Sequence, residues 1–166
     1  MKHVLSVGAI LFVVTTWAVR IVVGISAENY NAELSLADDA STPEKKSEYL
    51  GRYIEKLKSD KTLPEHAAFI WKNERNRIAS QIEVLASLQR RCDDLAPLDK
   101  ESMGYAQGMT QITGQEFEHA VDHVAAIIAK GYSMSHFGWF WMYAPTWSWM
   151  ALIFPLIAYA KHLPTK

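Results

Sequence analysis

The chain has one cysteine, Cys92, so no disulfide can close within it, and the redox compartment stays open. It has no G-x-S-x-G, no phosphate-binding glycine loop and no H-E-x-x-H. The commonest sequence signatures of nucleophile elbows, nucleotide cradles and zinc hydrolases are therefore missing. There is no internal repeat of roughly 20–50 residues, which removes solenoids, and no low-complexity tract. Nor is there a basic excess. All 18 acidic residues lie between Glu28 and Asp122, and 13 of the 17 basic ones lie between Lys45 and Lys130. An acidic middle argues against a nucleic-acid partner, because phosphate binding needs a basic face. Charge is also missing at the ends: Val4 to Ala27 holds only Arg20, and Gly131 to Ala160 holds no Asp, Glu, Lys or Arg.

Those uncharged ends are the main positive signal. The hydrophobic fraction of 49% is ordinary and the mean hydropathy of -0.06 is neutral, but both averages conceal the concentration of apolar residues at the ends. About 20 apolar residues of helix cross a bilayer core of roughly 30 Å. Residues 1–25 therefore read as a first transmembrane helix, an uncleaved signal anchor. A cleaved signal peptide ending at Ser26-Ala27 is the alternative, but Arg20 would then sit between the apolar core and the cut. Near the far interface, Arg20 either snorkels to headgroups or pairs with a neighbouring membrane subunit.

Residues 131–160 read as a second, aromatic-rich span. Phe137, Trp139, Phe140, Trp141, Tyr143, Trp147 and Trp149 crowd into 13 residues, as in an aromatic belt at a membrane–water boundary. The alternative is a packing surface for a larger membrane partner, lipid or pigment. Pro145 predicts a kink. Lys2 precedes the first span, and Lys161 and Lys166 follow the second. Acidic residues 28–39 follow the first. By the positive-inside rule both termini face the cytoplasm across an inner membrane, and the middle domain is periplasmic or extracellular.

Between the ends, residues 26–42 read as an acidic tether and 43–130 as a three-helix domain. Ser41-Thr42-Pro43-Glu44 opens a helix over about 43–59, with Tyr49, Leu50, Tyr53, Ile54 and Leu57 on its apolar face. Thr62-Leu63-Pro64-Glu65 repeats the start signal for a helix over 64–95, where Trp71, Ile78, Leu85 and Cys92 fall at intervals of seven. Pro97 ends it, and Asp99 is placed to cap a helix over 99–130. That helix carries Met103, Ala106, Thr110, Thr113, Phe117, Ala120, Val124 and Ile127 as a heptad seam. Tyr105, Met109 and Ile112 form a second strip. Gly104, Gly108 and Gly114 weaken its first half. Two arms of equal length, about 48 Å each, predict a long antiparallel hairpin with Pro97 at its tip. The fold class is thus all-α: two terminal transmembrane helices flanking an exported helical domain. Residues 161–166 are read as a cytoplasmic tail.

Candidate chemistry is sparse. Glu116, His119 and His123 share one helix face, and a His pair at i, i+4 can bind zinc or copper. Glu116-x-x-His119 also has the spacing of di-iron bundles. No second E-x-x-H accompanies it, so a solvated face is the simpler reading, with no cofactor expected and zinc or iron the lesser alternative. His136 is a candidate haem or chlorin ligand, against a headgroup-facing histidine. Cys92 suits either an intermolecular disulfide or a small seam hydrophobe. Arg90-Arg91 and Asp93-Asp94 read as a mutually paired solvated face.

The function expected from this pattern is that of a non-catalytic accessory or scaffold subunit of a larger membrane complex. Trp139, Trp141, Trp147 and Trp149 would supply lateral packing and Arg20 an intramembrane pair. The expected partners are the lipid bilayer and an integral membrane protein or a second copy. The alternatives are a phage- or plasmid-encoded lysis or exclusion factor, and a metal- or cofactor-binding membrane protein.

Overall fold

The computed structural model describes residues 2–68 and 70–160, without the side chains of 2–9, Glu116 and 139–160. These residues are helical, with no strand among them: α1 Lys2–Tyr30, α2 Ala32–Asp39, α3 Pro43–Ser59, α4 Ile78–Leu95, α5 Met103–Thr113 and α6 Gln115–Ala160. The chain divides into two units. One takes the ends, up to Ser26 and from Phe137 onward, and the other is Ala27–His136.

In the end unit, α1 is long and apolar enough to cross a membrane by length and composition, over Ile10–Tyr30. Only 11% of its most apolar window is buried. Ile10, Leu11, Val14, Ile21, Val22 and Ile25 are all more than half exposed. This length, position and composition suit a membrane span and a signal sequence alike. Thr16 is buried, and its hydroxyl donates to the Val13 carbonyl at 2.8 Å on the same helix. Arg20 is exposed on α1. The backbone of α6 is helical through residue 160 with a break at Gly138, where φ is 75° and ψ 152°. Glycine alone adopts that region readily. The break in helical dihedrals lies at Gly138. The tail from 161 lies outside the described residues.

In the unit Ala27–His136 the expected tether is helical. α1 runs on to Tyr30 and α2 follows. Ala27, Asn31, Leu34 and Ala37 are buried at spacings of four, three and three, a helical stripe that the surrounding acids obscure. α3 occupies 43–59, with the Thr42 side chain accepting from the Lys45 amide. Leu50, Tyr53, Ile54 and Leu57 are buried on its inner face.

The expected helix over 64–95 starts only at Ile78. The hydroxyl and amide of Thr62 bond to the Asp60 carboxylate and do not open a helix. Asn73 and Asn76 cap each other around a 3₁₀ turn, Glu74–Asn76. Such side-chain bonds to nearby backbone compete with helix. Ile78, Leu85 and Cys92 are buried, whereas Trp71 is exposed.

The expected helix over 99–130 is two helices parted at Gly114. Ser102, not Asp99, caps α5, accepting from the Tyr105 amide at 3.1 Å. The expected seam fails in this half: Met103 is 77% exposed, and Ile112 is the buried residue of α5. Among the described residues of α6 the buried hydrophobic positions are Phe117, Val121, Val124 and Ile128, so Val121 and Ile128 take the places expected for Ala120 and Ile127. With α4 only 18 residues long, about 27 Å, the equal-armed hairpin gives way to shorter elements. Their apolar faces meet in one core drawn from α2 to α6.

Candidate functional site

Two lysines on α3 shape this unit, and each closes the carboxyl end of another helix. The Nζ of Lys46 donates to the carbonyls of Ala37 and Asp38 at 3.0 and 2.6 Å, at the end of α2. It also lies 4.8 Å from the Phe117 ring centre. Cations are favoured at helix C-termini and over aromatic faces. Lys46 is only 2% exposed, and burial holds its pKa below the ordinary lysine value. Ten residues on, the Nζ of Lys56 donates to the Tyr30 carbonyl at 2.7 Å, at the end of α1. It lies 4.6 Å from the Tyr30 ring centre and 3.7 Å from the Glu33 carboxylate. That Glu33 oxygen is buried without a hydrogen bond, so charge alone pairs it with Lys56.

Around Lys56 a polar and aromatic cluster ties α1, α2, α3 and α6 together. The Tyr53 hydroxyl donates to the Asn31 side-chain oxygen. The Asn31 amide nitrogen donates to the Ala125 carbonyl at 2.9 Å. Burial pushes the Tyr53 phenol well above its ordinary value. Tyr30 donates to Asp60 at 2.7 Å. Burial raises the Asp60 carboxyl, but hydrogen bonds from Thr62 and Tyr30 outweigh this and hold it below 3.8. Tyr30 packs on Tyr132 with ring centres 4.4 Å apart, and Tyr132 stacks on His136 at 4.1 Å. The arrangement joins these helices through hydrogen bonds and ring contacts, with the Glu33 oxygen held by charge alone.

At the other end of α2, a cleft of about 300 Å³ is bordered by Asp38, Lys46, Ile112, Gly114, Phe117 and Glu118. Burial raises the Asp38 carboxyl above its ordinary value. The Lys46 ammonium inside this cleft is held by the two α2 carbonyls, which makes it a cap.

The residues singled out from sequence lie elsewhere. His119 and His123 are exposed on α6, while the Glu116 side chain lies outside the described residues. Among the described residues no group of three metal-ligating side chains comes together. His136 Nδ1 is within 3.1 Å of the Tyr132 carbonyl and 2.9 Å of the Ser135 hydroxyl. Cys92 is buried, and burial pushes its thiol up to about 11. Asp93 accepts from the Ser47 hydroxyl and Arg90 donates to the Ala86 carbonyl, so the expected Arg–Asp face is bonded differently. The side chains of Trp139, Trp141, Trp147 and Trp149 lie outside the described residues.

Lys46 and Asn31 were missed in the sequence, though a signal existed. Lys46 stands four residues before Leu50 on the apolar stripe of α3, and Asn31 interrupts the stripe of Ala27, Leu34 and Ala37. The chain matches no family model, no curated protein and no solved structure.

Proposed function

We propose that this chain is a non-catalytic two-span membrane protein, an accessory or scaffold subunit of a larger membrane assembly. Its ends span the inner membrane with both termini cytoplasmic, and its helical middle lies on the far side. The observation that carries the reading is the outward apolar surface of α1, which lipid or a membrane partner would cover. The uncharged stretch 131–160 and the helical backbone of α6 through that stretch support a second span. The polar side chains of Lys46, Lys56, Asn31 and Tyr53 are engaged in holding helices together, which suits a scaffold.

Purification of a C-terminally tagged chain in mild detergent tests this, with mass spectrometry of co-purifying proteins. A stoichiometric integral membrane partner is expected, lost when Trp139, Trp141, Trp147 and Trp149 are replaced together by alanine. A chain that purifies alone, or a partner indifferent to these four changes, would overturn the subunit reading.

A further inference from the structure

The segment joining α3 to α4 leaves two large apolar side chains uncovered. Ile70 is 61% and Trp71 85% exposed. Trp71 is nevertheless firmly placed. Its φ of 57° lies in the left-handed region, an outlier for a bulky residue that its surroundings must enforce. Its carbonyl accepts from the side-chain amides of Asn76 at 2.9 Å and Asn73 at 3.4 Å. The base of the loop is closed by the Ala67 amide on the Asn76 carbonyl at 2.7 Å and the Ile78 amide on the Glu65 carbonyl at 3.0 Å. A hydrogen-bonded stem thus turns a tryptophan outward, with exposed Lys72 and Arg75 beside it.

The stem stands at a particular end of its unit. A Cβ on Gly131 would lie 3.1 Å from Ile78 Cδ1, 3.6 Å from Ala67 Cβ and 3.7 Å from Pro64 Cδ. The next residue, Tyr132, packs on Tyr30, which ends both α1 and the apolar stretch Ile10–Tyr30. The loop base is therefore packed beside the residue that precedes Tyr132, which itself meets Tyr30, the last residue of α1. An indole favours the boundary between water and hydrocarbon, and neighbouring cations favour anionic headgroups.

We infer that the Ile70-Trp71 tip is a further membrane contact, seated in the headgroup region of the bilayer that α1 crosses, with Lys72 and Arg75 toward lipid phosphates. This rests on the membrane placement proposed above and extends it to the middle domain.

The full chain carrying Trp71→Cys, labelled with an environment-sensitive fluorophore and reconstituted into phosphatidylcholine–phosphatidylglycerol vesicles, provides the test. Buried Cys92 supplies a low labelling background, read from the unsubstituted chain. Ile70→Cys is a second probe at the tip, and Leu98→Cys, in the turn after α4, is the reference. The tip probes should emit to the blue of the reference. Spin-labelled lipid should quench them about twofold more, and aqueous iodide less. Tip probes as open to iodide as the reference would overturn the contact. So would probes shielded from both quenchers, which would assign the tip to a protein surface. Vesicle flotation is scored separately. A floating chain with aqueous tip probes removes this contact alone, and a chain that does not float removes the membrane placement as well.

Discussion

Lys46 does at the residue scale what a glycine or an ordered water does at many helix ends: it satisfies carbonyls that have no partner in their own helix. Lys46→Ala leaves those carbonyls without their buried donor and opens space beside Phe117. The expected loss is about 2–3 kcal/mol, read as a lower midpoint in denaturant unfolding of the full chain in detergent. Asp60 gives a pH-dependent counterpart. Its folded pKa lies below its ordinary value of 3.8. Its contribution is therefore present above that value and is lost as pH falls through the folded pKa. Asp60→Asn should lower stability at neutral pH and flatten the acid limb, so that variant and parent converge at the lowest pH. Parallel acid limbs would contradict this assignment. Both roles were only partly legible in the sequence. The stripe containing Lys46 was readable, but a lysine on a stripe has no visible partner until α2 is known to end against it.

Local side-chain chemistry decided where the elements begin and end. The helix over 43–59 was legible because its cap, first-turn proline and apolar face agree. The segment 64–77 was misread because Pro64 and the sevenfold spacing of Trp71 mimic a helix, while Asn73 and Asn76 stabilise a closed turn. Glycine at the break between α5 and α6 has a steric reason. The dihedrals of Gly114, φ −80° and ψ 165°, are open to any residue. A Cβ there, however, would sit 2.7 Å from the Thr110 carbonyl oxygen. Backbone yields less readily than a side chain, so Gly114→Ala should cost about 1–3 kcal/mol. The check is a reduced thermal midpoint with the far-ultraviolet helix signal unchanged. An unaltered midpoint would mean that the junction accommodates a methyl group.

Membrane retention is the property that belongs to the whole molecule. The full chain should remain in the membrane pellet after an alkaline carbonate wash, to about nine-tenths or more. A chain lacking residues 1–26 should remain there too, held by the second span proposed above. Release of the shortened chain would confine membrane attachment to α1. The apolar ends were legible because uncharged runs need no knowledge of tertiary contacts. The tie between the middle domain and the end of α1 was not, since it depends on Tyr30, Lys56 and Tyr132, residues 26 and 102 positions from Tyr30 meeting in space. One asymmetry between the two connecting helices has a consequence for rotational phase. α1 passes without interruption into the stripe begun by Ala27, whereas α6 is broken at Gly138. One alanine inserted after Ile25 should turn everything before it by about 100° about the helix axis, and partner recovery in mild detergent should fall severalfold. The same insertion beside Gly138 should change recovery much less, because a helix already interrupted there has no continuous phase to transmit.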